Sequence, residues 1–252
     1  MSLYSLLLPV LFCSLICGVI ALITLSAKKK DDKRYEKISA IATFMAAVGS
    51  IVVGIITVTV MKHQEDAERL LNQPLFAVHV GLNYSQDKQL YDNEEYVIEN
   101  VGYKTRSKTD VNHYSIIEVS RFDNAVGKVV TKYCLMNNYF GASFTTGNLD
   151  GTVEYSSYSK NNNELFFNLY SETLHYGETH PGVYVDVKKK HYFVLVYTDI
   201  YGDIHTIVKN EDKDVDPDQF KDILKRTNTD CGGRSFDIQK LNLDVIMETC
   251  FK

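Results

Sequence analysis

The chain begins with two long apolar stretches, at residues 3–26 and 38–61, and neither contains a charged residue. As helices that rise about 1.5 Å per residue, each would extend roughly 36 Å, which exceeds a hydrocarbon core of about 30 Å. The first stretch is longer than the apolar region of a signal peptide, and no basic residue precedes it. We therefore predict a two-pass protein of the cell (inner) membrane, with a transmembrane helical hairpin over residues 1–61 and a basic linker at 27–37.

A charged segment follows the second apolar stretch. Residues 62–71 read KHQEDAERLL and contain Glu65 and Arg69 at the i,i+4 spacing that stabilises a solvated helix. Pro74 disfavours helix for the residue before it, so the helical pattern should end there. We predict a helical stalk over residues 62–74.

Small residues recur along the two apolar stretches at helical spacing. The predicted helix-packing residues are Ser14, Gly18, Ala42, Ala46, Ser50 and Gly54. In lipid, small side chains let helix backbones approach closely and gain dispersion contacts. The pattern predicts that the two helices pack tightly on each other, or that chains associate into a homo-oligomer.

From residue 75 the pattern changes to short alternating runs separated by turn residues, which is typical of β-structure. The predicted strands cover residues 75–82, 95–101, 113–122, 128–135, 152–158, 164–170, 183–187, 191–201 and 204–208. We predict an all-β domain over residues 75–210, as an antiparallel Ig-like sandwich or, alternatively, a closed barrel. Residues 156–164 are predicted to form an exposed polar loop.

The last segment, residues 211–252, is predicted to be a short, partly helical C-terminal tail. Asp216 is a suitable N-cap, and Pro217 suits the first turn of a helix that begins there.

Charge and cysteine content restrict the function. The net charge of −5 argues against binding of a nucleic acid duplex through a broad basic surface. Outside the apolar stretches the cysteines are Cys134, Cys231 and Cys250, an odd number without metal-ligand spacing. We therefore expect no disulfide framework, no metal site and no cofactor. The chain has no recognisable nucleophile–base set or phosphate-binding loop, which favours a non-enzymatic function.

Cationic and aromatic side chains in the β-domain are candidates for a ligand site. Such residues bind nucleotides through charge-assisted hydrogen bonds and stacking. The candidate ligand-binding residues are Arg106, Arg121, Tyr139, Phe140 and Lys189. The ligand would be a small nucleotide or a protein partner.

The side of the membrane on which the domain lies is left open by two opposing signals. The linker at 27–37 is rich in lysine and arginine, which favours a cytoplasmic linker and an external domain. Unpaired cysteines favour a reducing compartment, and hence a cytosolic domain.

The order of these segments along the chain resembles that of known bacterial membrane proteins. Two N-terminal apolar stretches, a stalk ending in NQP at 72–74 and a β-domain with ENVG at 99–102 together resemble a broad group of small bacterial membrane proteins. The layout is also similar to that of two-helix effectors of antiphage signalling systems. That resemblance implies a cytosolic β-domain that binds a cyclic nucleotide and helices that assemble to breach the membrane. An extracytoplasmic binding or adhesion domain tethered by the hairpin is the alternative.

Overall fold

The computed structural model describes residues 32–107, 109–140, 144–147, 153–157 and 161–251, together with helical positions 16, 18, 19 and 23. The chain divides into two compact units, Met1–Leu71 and Asn72–Lys252. Most of the predicted first transmembrane helix lies outside the described residues, so the two-helix hairpin is not established.

Among the described residues of unit 1, one long helix, α1, spans Asp32–Leu71 without a break. It is long and apolar enough to cross a membrane, as judged from its length and composition. The helix continues through the charged segment, where Arg69 Nη2 lies 3.2 Å from Glu65 Oε1. The prediction that residues 62–71 extend the second apolar stretch as helix is confirmed.

Hydroxyl groups within α1 are satisfied by the helix itself. Thr43, Ser50, Thr57 and Thr59 each donate to the carbonyl four residues earlier, at 2.8–2.9 Å. Such back-bonding hides the polarity of the hydroxyl from an apolar environment.

The helix-packing residues remain a prediction. Ser14 lies outside the described residues, and Ala42, Ala46, Ser50 and Gly54 lie on α1. A Cβ built at Gly54 meets nothing within 4 Å among the described atoms, so this position is open to another helix.

Unit 2 contains two sheets. Within the described residues the first sheet is antiparallel, in the order β1 (Phe76–Ser85), β2 (Leu90–Asn100), β6 (Val153–Ser157) and β5 (Phe144–Gly147). The second sheet has the order β10 (Ser235–Asp237), β4 (Lys128–Asn137), β3 (Asp110–Asp123), β7 (Val183–Thr198), β8 (Ile204–Asn210) and β9 (Lys213–Val215). Strand β10 pairs with β4 in parallel, and the other pairs are antiparallel. The prediction of a β-rich domain is confirmed, the sheets are not closed into a barrel, and an Ig-like topology is not confirmed.

The helices of unit 2 cover the second sheet. They are α2 (Asn162–Thr179), α3 (Pro217–Asp230), a 3-10 helix (Ile238–Lys240) and α4 (Leu243–Cys250). On one face of the sheet, Phe220 of α3 packs in a cluster with Ile116 and Tyr192. On the other face, Leu169 of α2 and Ile246 of α4 belong to a second cluster.

The predicted strand at residues 164–170 is wrong, because this segment is the first half of α2. Leu165, Phe166, Leu169 and Tyr176 recur at helical spacing and pack against the core clusters. A period of about 3.6 residues therefore describes the segment better than strand alternation. Asn162, in the predicted exposed loop at 156–164, is fully buried.

A second difference concerns β7, which joins the predicted strands at 183–187 and 191–201 into one strand. The basic run between them stays in the sheet because its two partly buried lysines, Lys189 and Lys190, pair with carboxylates of other strands, while Lys188 is exposed. Lys188 pairs with Asp186 at 3.0 Å and Lys190 with Glu118 at 2.6 Å, and Lys189 pairs with Glu94.

The predicted start of a helix at Asp216–Pro217 in the C-terminal tail is confirmed. The Asp216 carboxylate accepts a hydrogen bond from Asp218 N at 2.7 Å, and Pro217 occupies the first turn of α3.

The sequence predicts no disulfide framework and three unpaired cysteines in the domain, and the second expectation is wrong for one pair. Cys134 on β4 and Cys231 at the end of α3 form a disulfide with a Cα–Cα distance of 5.7 Å. They are separated by 97 residues in the sequence, so their spacing could not reveal the pairing.

The ENVG motif at 99–102 forms hydrogen bonds with the segment that follows α1. Leu75 O accepts a hydrogen bond from Val101 N at 2.7 Å, and Asn100 Oδ1 accepts one from Leu75 N at 3.2 Å. A Cβ at Gly102 would lie 2.8 Å from Gln73 O and even closer to Leu75 N. Only glycine allows this close approach of two backbones.

Candidate ligand-binding cluster

A group of buried and half-buried polar side chains lies where β2, β7 and α2 meet. We name it the Glu94 cluster, and its members are Glu94, Tyr96, Ser115, Tyr139, Asn162, Asn163, Lys189 and His191. Inward-facing positions alternate along the strands, and this places Glu94 and Tyr96 on the core side of β2.

The Glu94 carboxylate is the centre of the cluster. It accepts hydrogen bonds from the Tyr96 hydroxyl at 3.1 Å, from the Tyr139 hydroxyl and from Lys189 Nζ. Lys189 Nζ also donates to the Tyr139 hydroxyl and to Asn163 Oδ1, both at 2.8 Å. The Glu94 and Lys189 side chains are 6% and 21% exposed, so this is a largely buried ion pair held by additional hydrogen bonds.

The start of α2 fixes the backbone on which Glu94 is carried. Asn162 Oδ1 accepts from Glu94 N at 2.7 Å, and Asn162 Nδ2 donates to Glu94 O at 2.9 Å. This amide therefore pairs with β2 as a neighbouring strand would. Asn161 before it has φ of 64°, a left-handed conformation that asparagine tolerates.

A second left-handed asparagine brings in the aromatic members. Asn138, with φ of 59°, follows β4 and is succeeded by Tyr139 and Phe140, which are 1% and 7% exposed. The Tyr139 and Phe140 rings lie 4.6 and 5.0 Å from the ring of His191.

Two histidines extend the cluster into the second sheet. Ser115 and His191 are directly paired in the β3–β7 register, and Ser115 Oγ lies 3.0 Å from His191 Nδ1. The same hydroxyl lies 3.1 Å from His113 Nε2. His191 Nε2 has no hydrogen-bond partner among the described residues and lies 3.8 Å from Glu94 Oε2.

Burial sets the protonation states of these groups. Desolvation, with a smaller contribution from His191, lowers the pKa of His113 to about 3. Desolvation, together with the charge of Lys189, also holds the pKa of His191 well below its usual value. For Tyr96 and Tyr139, burial and the neighbouring Glu94 raise the pKa far above the usual range. Both histidines are therefore neutral at pH 7, and both tyrosines remain hydrogen-bond donors.

Ser115, His191 and Glu94 are the residue types of a hydrolytic triad, but their geometry does not favour that chemistry. The serine hydroxyl contacts Nδ1, and the carboxylate lies 3.8 Å from Nε2. Ser115 is only 4% exposed, and a nucleophile must reach its substrate. The arrangement suits a rigid polar network better than acyl transfer.

The structure brings together three of the five candidate residues from the sequence. Tyr139, Phe140 and Lys189 lie in or against the Glu94 cluster. Arg106 instead lies beside Gly202, and Arg121 pairs with Asp123 at 3.6 Å near the far end of β3.

Sequence reasoning missed Glu94, Asn162 and His191. One signal was available for the partner of Lys189. This lysine is in phase with His191, Phe193 and Leu195 on an alternating strand, so it must face the core. A lysine that faces the core needs a carboxylate there.

No protein family model matches the chain, and no curated protein matches its sequence.

Proposed function

We propose that this chain is a non-enzymatic, membrane-anchored sensor or effector. In this proposal the β-domain binds a ligand or partner, and the protein acts through assembly of its transmembrane helices. The observation that carries the proposal is α1, one continuous helix of 40 residues that ends at the residue before unit 2. At about 1.5 Å per residue it extends roughly 60 Å, twice the thickness of a hydrocarbon core. The helix thus has the length for both a membrane span and a stalk.

The finer form of the proposal is a membrane-disrupting antiphage effector that responds to a cyclic nucleotide. Its support is the layout of the chain and the grouping of Tyr139, Phe140 and Lys189. Lys189 is matched by Glu94, so an anionic ligand must compete with this carboxylate for the ammonium group. Lys189 is nevertheless the most exposed of the three, with 21% of its side chain exposed against 1% and 7% for Tyr139 and Phe140, so its removal should matter most for binding.

The binding test uses the full chain in detergent and a panel of cyclic nucleotides, with isothermal titration calorimetry below the unfolding temperature. We expect one nucleotide to bind, Lys189→Met to abolish the heat signal, and Lys188→Met to leave it unchanged. Lys188 is a matched control because it is adjacent, 61% exposed and paired with Asp186 on its own strand. Equal binding by both variants would remove Lys189 from the site, and no binding by the wild type would refute the nucleotide form.

The effector step is tested by membrane potential in cells that express the full chain with the bound nucleotide present. Wild type should depolarise the cells, and Ser50→Leu with Gly54→Leu should not. Ile51→Leu with Ile55→Leu is the matched control, because these side chains lie on another face of α1 and are both 63% exposed. If all three chains depolarise cells equally, the small-residue face is not the mechanism.

The second candidate is an extracytoplasmic binding or adhesion domain tethered by the membrane helices. It is favoured by the Cys134–Cys231 disulfide, since such bonds persist in oxidising compartments. The basic linker at 27–37 supports the same orientation.

An impermeant maleimide applied to intact cells distinguishes the two locations. Val126→Cys is a suitable reporter because Val126 is 70% exposed in the turn between β3 and β4. Cys13 and Cys17 are replaced by alanine, and the three buried cysteines are kept. Labelling of intact cells would place the domain outside and end the cytosolic nucleotide form. Labelling only after lysis would place it in the cytosol and refute the adhesion alternative.

A further inference from the structure

Three cysteine sulfurs converge in the core of unit 2. Cys250 Sγ lies 3.3 Å from Cys134 Sγ and 3.2 Å from Cys231 Sγ, and all three sulfurs lie within 4.8 Å of one another. Each residue is buried, with exposed fractions of 0%, 2% and 6% for Cys134, Cys231 and Cys250. We infer that, once a dithiol or thiol reductant has cleaved the Cys134–Cys231 disulfide to two thiols, these three cysteines lose their thiol protons on binding a soft metal cation such as Zn²⁺ or Cd²⁺ and form a thiolate site for it.

The convergence is the first argument. Cys134 comes from β4, Cys231 from the end of α3 and Cys250 from the last turn of α4. A disulfide between Cys134 and Cys231 uses two of these sulfurs and has no need of a third. A third sulfur in contact with both, delivered by a separate element, is what a three-thiolate metal site requires.

Two of the three sulfur–sulfur distances fit a metal site with a small adjustment. The Cys134–Cys231 pair must first be reduced, and its sulfurs must then separate from a disulfide bond length of about 2.0 Å to roughly 3.8 Å. Zinc–sulfur bonds of about 2.3 Å place tetrahedrally arranged sulfurs roughly 3.8 Å apart. The two Cys250 contacts of 3.2 and 3.3 Å would thus open by about 0.5 Å, a shift that side-chain rotation supplies. Three protein ligands leave the fourth position of a tetrahedral ion for water or another donor.

The surroundings favour a bound cation over free thiolates. The sulfurs lie in an apolar cluster that includes Val119, Phe236 and Ile246. A metal ion supplies the positive charge that lets buried sulfurs ionise. Thiolate donors select zinc, cadmium and copper(I) over magnesium and calcium.

The consequence is a metal-dependent clamp on the C-terminal part of the domain. Binding would join α3 and α4 to β4 through one ion. Because the bound metal favours the folded state, the unfolding temperature should rise on loading.

The test uses the full chain in detergent, reduced, with Cys13→Ala and Cys17→Ala to remove the other thiols. Cadmium is added, and thiolate-to-cadmium charge-transfer absorbance is recorded. We expect one Cd²⁺ per chain and an intensity that corresponds to three thiolates. Cys250→Ser should lose about a third of the intensity and at least about tenfold in affinity, by analogy with other losses of metal-site partners. Circular dichroism verifies that this variant is folded.

Two further measurements do not depend on any cysteine variant. Elemental analysis of the reduced chain after incubation with Zn²⁺ should give one zinc per chain, and zinc should raise the unfolding temperature. The inference is overturned if the folded, reduced chain binds no stoichiometric metal, or if Cys250→Ser binds cadmium as the parent does. It is also overturned if alkylation and mass spectrometry show a Cys134–Cys231 disulfide that resists reduction in the native chain, because the ligands are then never available.

Discussion

Removing the ammonium group of Lys189 should destabilise the β-domain far more than removing that of its neighbour Lys188. In Lys189→Met the Glu94 carboxylate stays 6% exposed but loses its only charged donor of opposite sign among the described contacts. It keeps the hydroxyl donors of Tyr96 and Tyr139. Lys188→Met instead breaks an exposed pair with Asp186, whose side chains are 61% and 48% exposed.

The expected magnitudes follow from burial. Removing one partner of a buried ion pair costs about 3–5 kcal/mol, because the other charge is left without compensation. The two remaining tyrosine donors place Lys189→Met near the lower limit, at about 3 kcal/mol. For a domain of this size, 1 kcal/mol shifts the unfolding temperature by about 2–4 °C, so the expected decrease is roughly 6–12 °C. An exposed pair contributes about 0–1 kcal/mol, so Lys188→Met should shift the temperature by roughly 4 °C at most.

The assay is thermal unfolding of the full chain in detergent, monitored by β-sheet circular dichroism. The Glu94→Gln and Lys189→Met double variant completes a double-mutant cycle and should be more stable than Lys189→Met alone, since it leaves no buried charge unpaired. Equal shifts for Lys188→Met and Lys189→Met, or no coupling in the cycle, would refute the view that Glu94 and Lys189 form a buried ion pair.

Two other predictions test the close approach of Gly102 to the Leu75 backbone and the burial of neutral His113. Gly102→Ala should lower the free energy of unfolding by about 1–3 kcal/mol, because its Cβ would overlap the Leu75 backbone. Gly81→Ala is the control and should change this free energy little, because the nearest atom to its Cβ lies 3.9 Å away. Equal effects of the two variants in urea denaturation would contradict the close approach at Gly102. For His113 the folded pKa of about 3 lies below the unfolded value near 6.5, so the unfolded state binds the proton first. Stability should therefore fall as pH drops from about 6.5 towards 3, by up to about 1.4 kcal/mol per pH unit for this group. His113→Gln should flatten that slope, and the exposed His175→Gln should not; an unchanged slope in His113→Gln would show that His113 is not buried in its neutral form.

Local sequence signals predicted several elements well. The Asp216–Pro217 start of α3 depends on groups within a few residues, and the extension of the apolar helix to Leu71 depends on its own composition. Signals of this kind need no knowledge of the tertiary fold.

The parts that sequence could not predict depend on distant partners. The basic run at 188–190 stays in a strand only because Glu94 and Glu118 approach from other strands. Residues 164–170 are mostly apolar and aromatic, which over a short window is typical of a strand. The helical period becomes clear when Thr173 and Tyr176 are included. Likewise, Asn162 in a polar run becomes buried because its amide pairs with the β2 backbone.

The central claim, that the protein acts by assembly of its membrane helices, is tested most directly by crosslinking in native membranes. Glu68→Cys, exposed on the charged end of α1, is the reporter in a chain whose Cys13 and Cys17 are alanine. The account predicts crosslinked dimers and higher species with a bismaleimide reagent. It also predicts their loss in Ser50→Leu with Gly54→Leu and their retention in Ile51→Leu with Ile55→Leu. Crosslinks that are absent from the parent chain, or equal in all three chains, would contradict it.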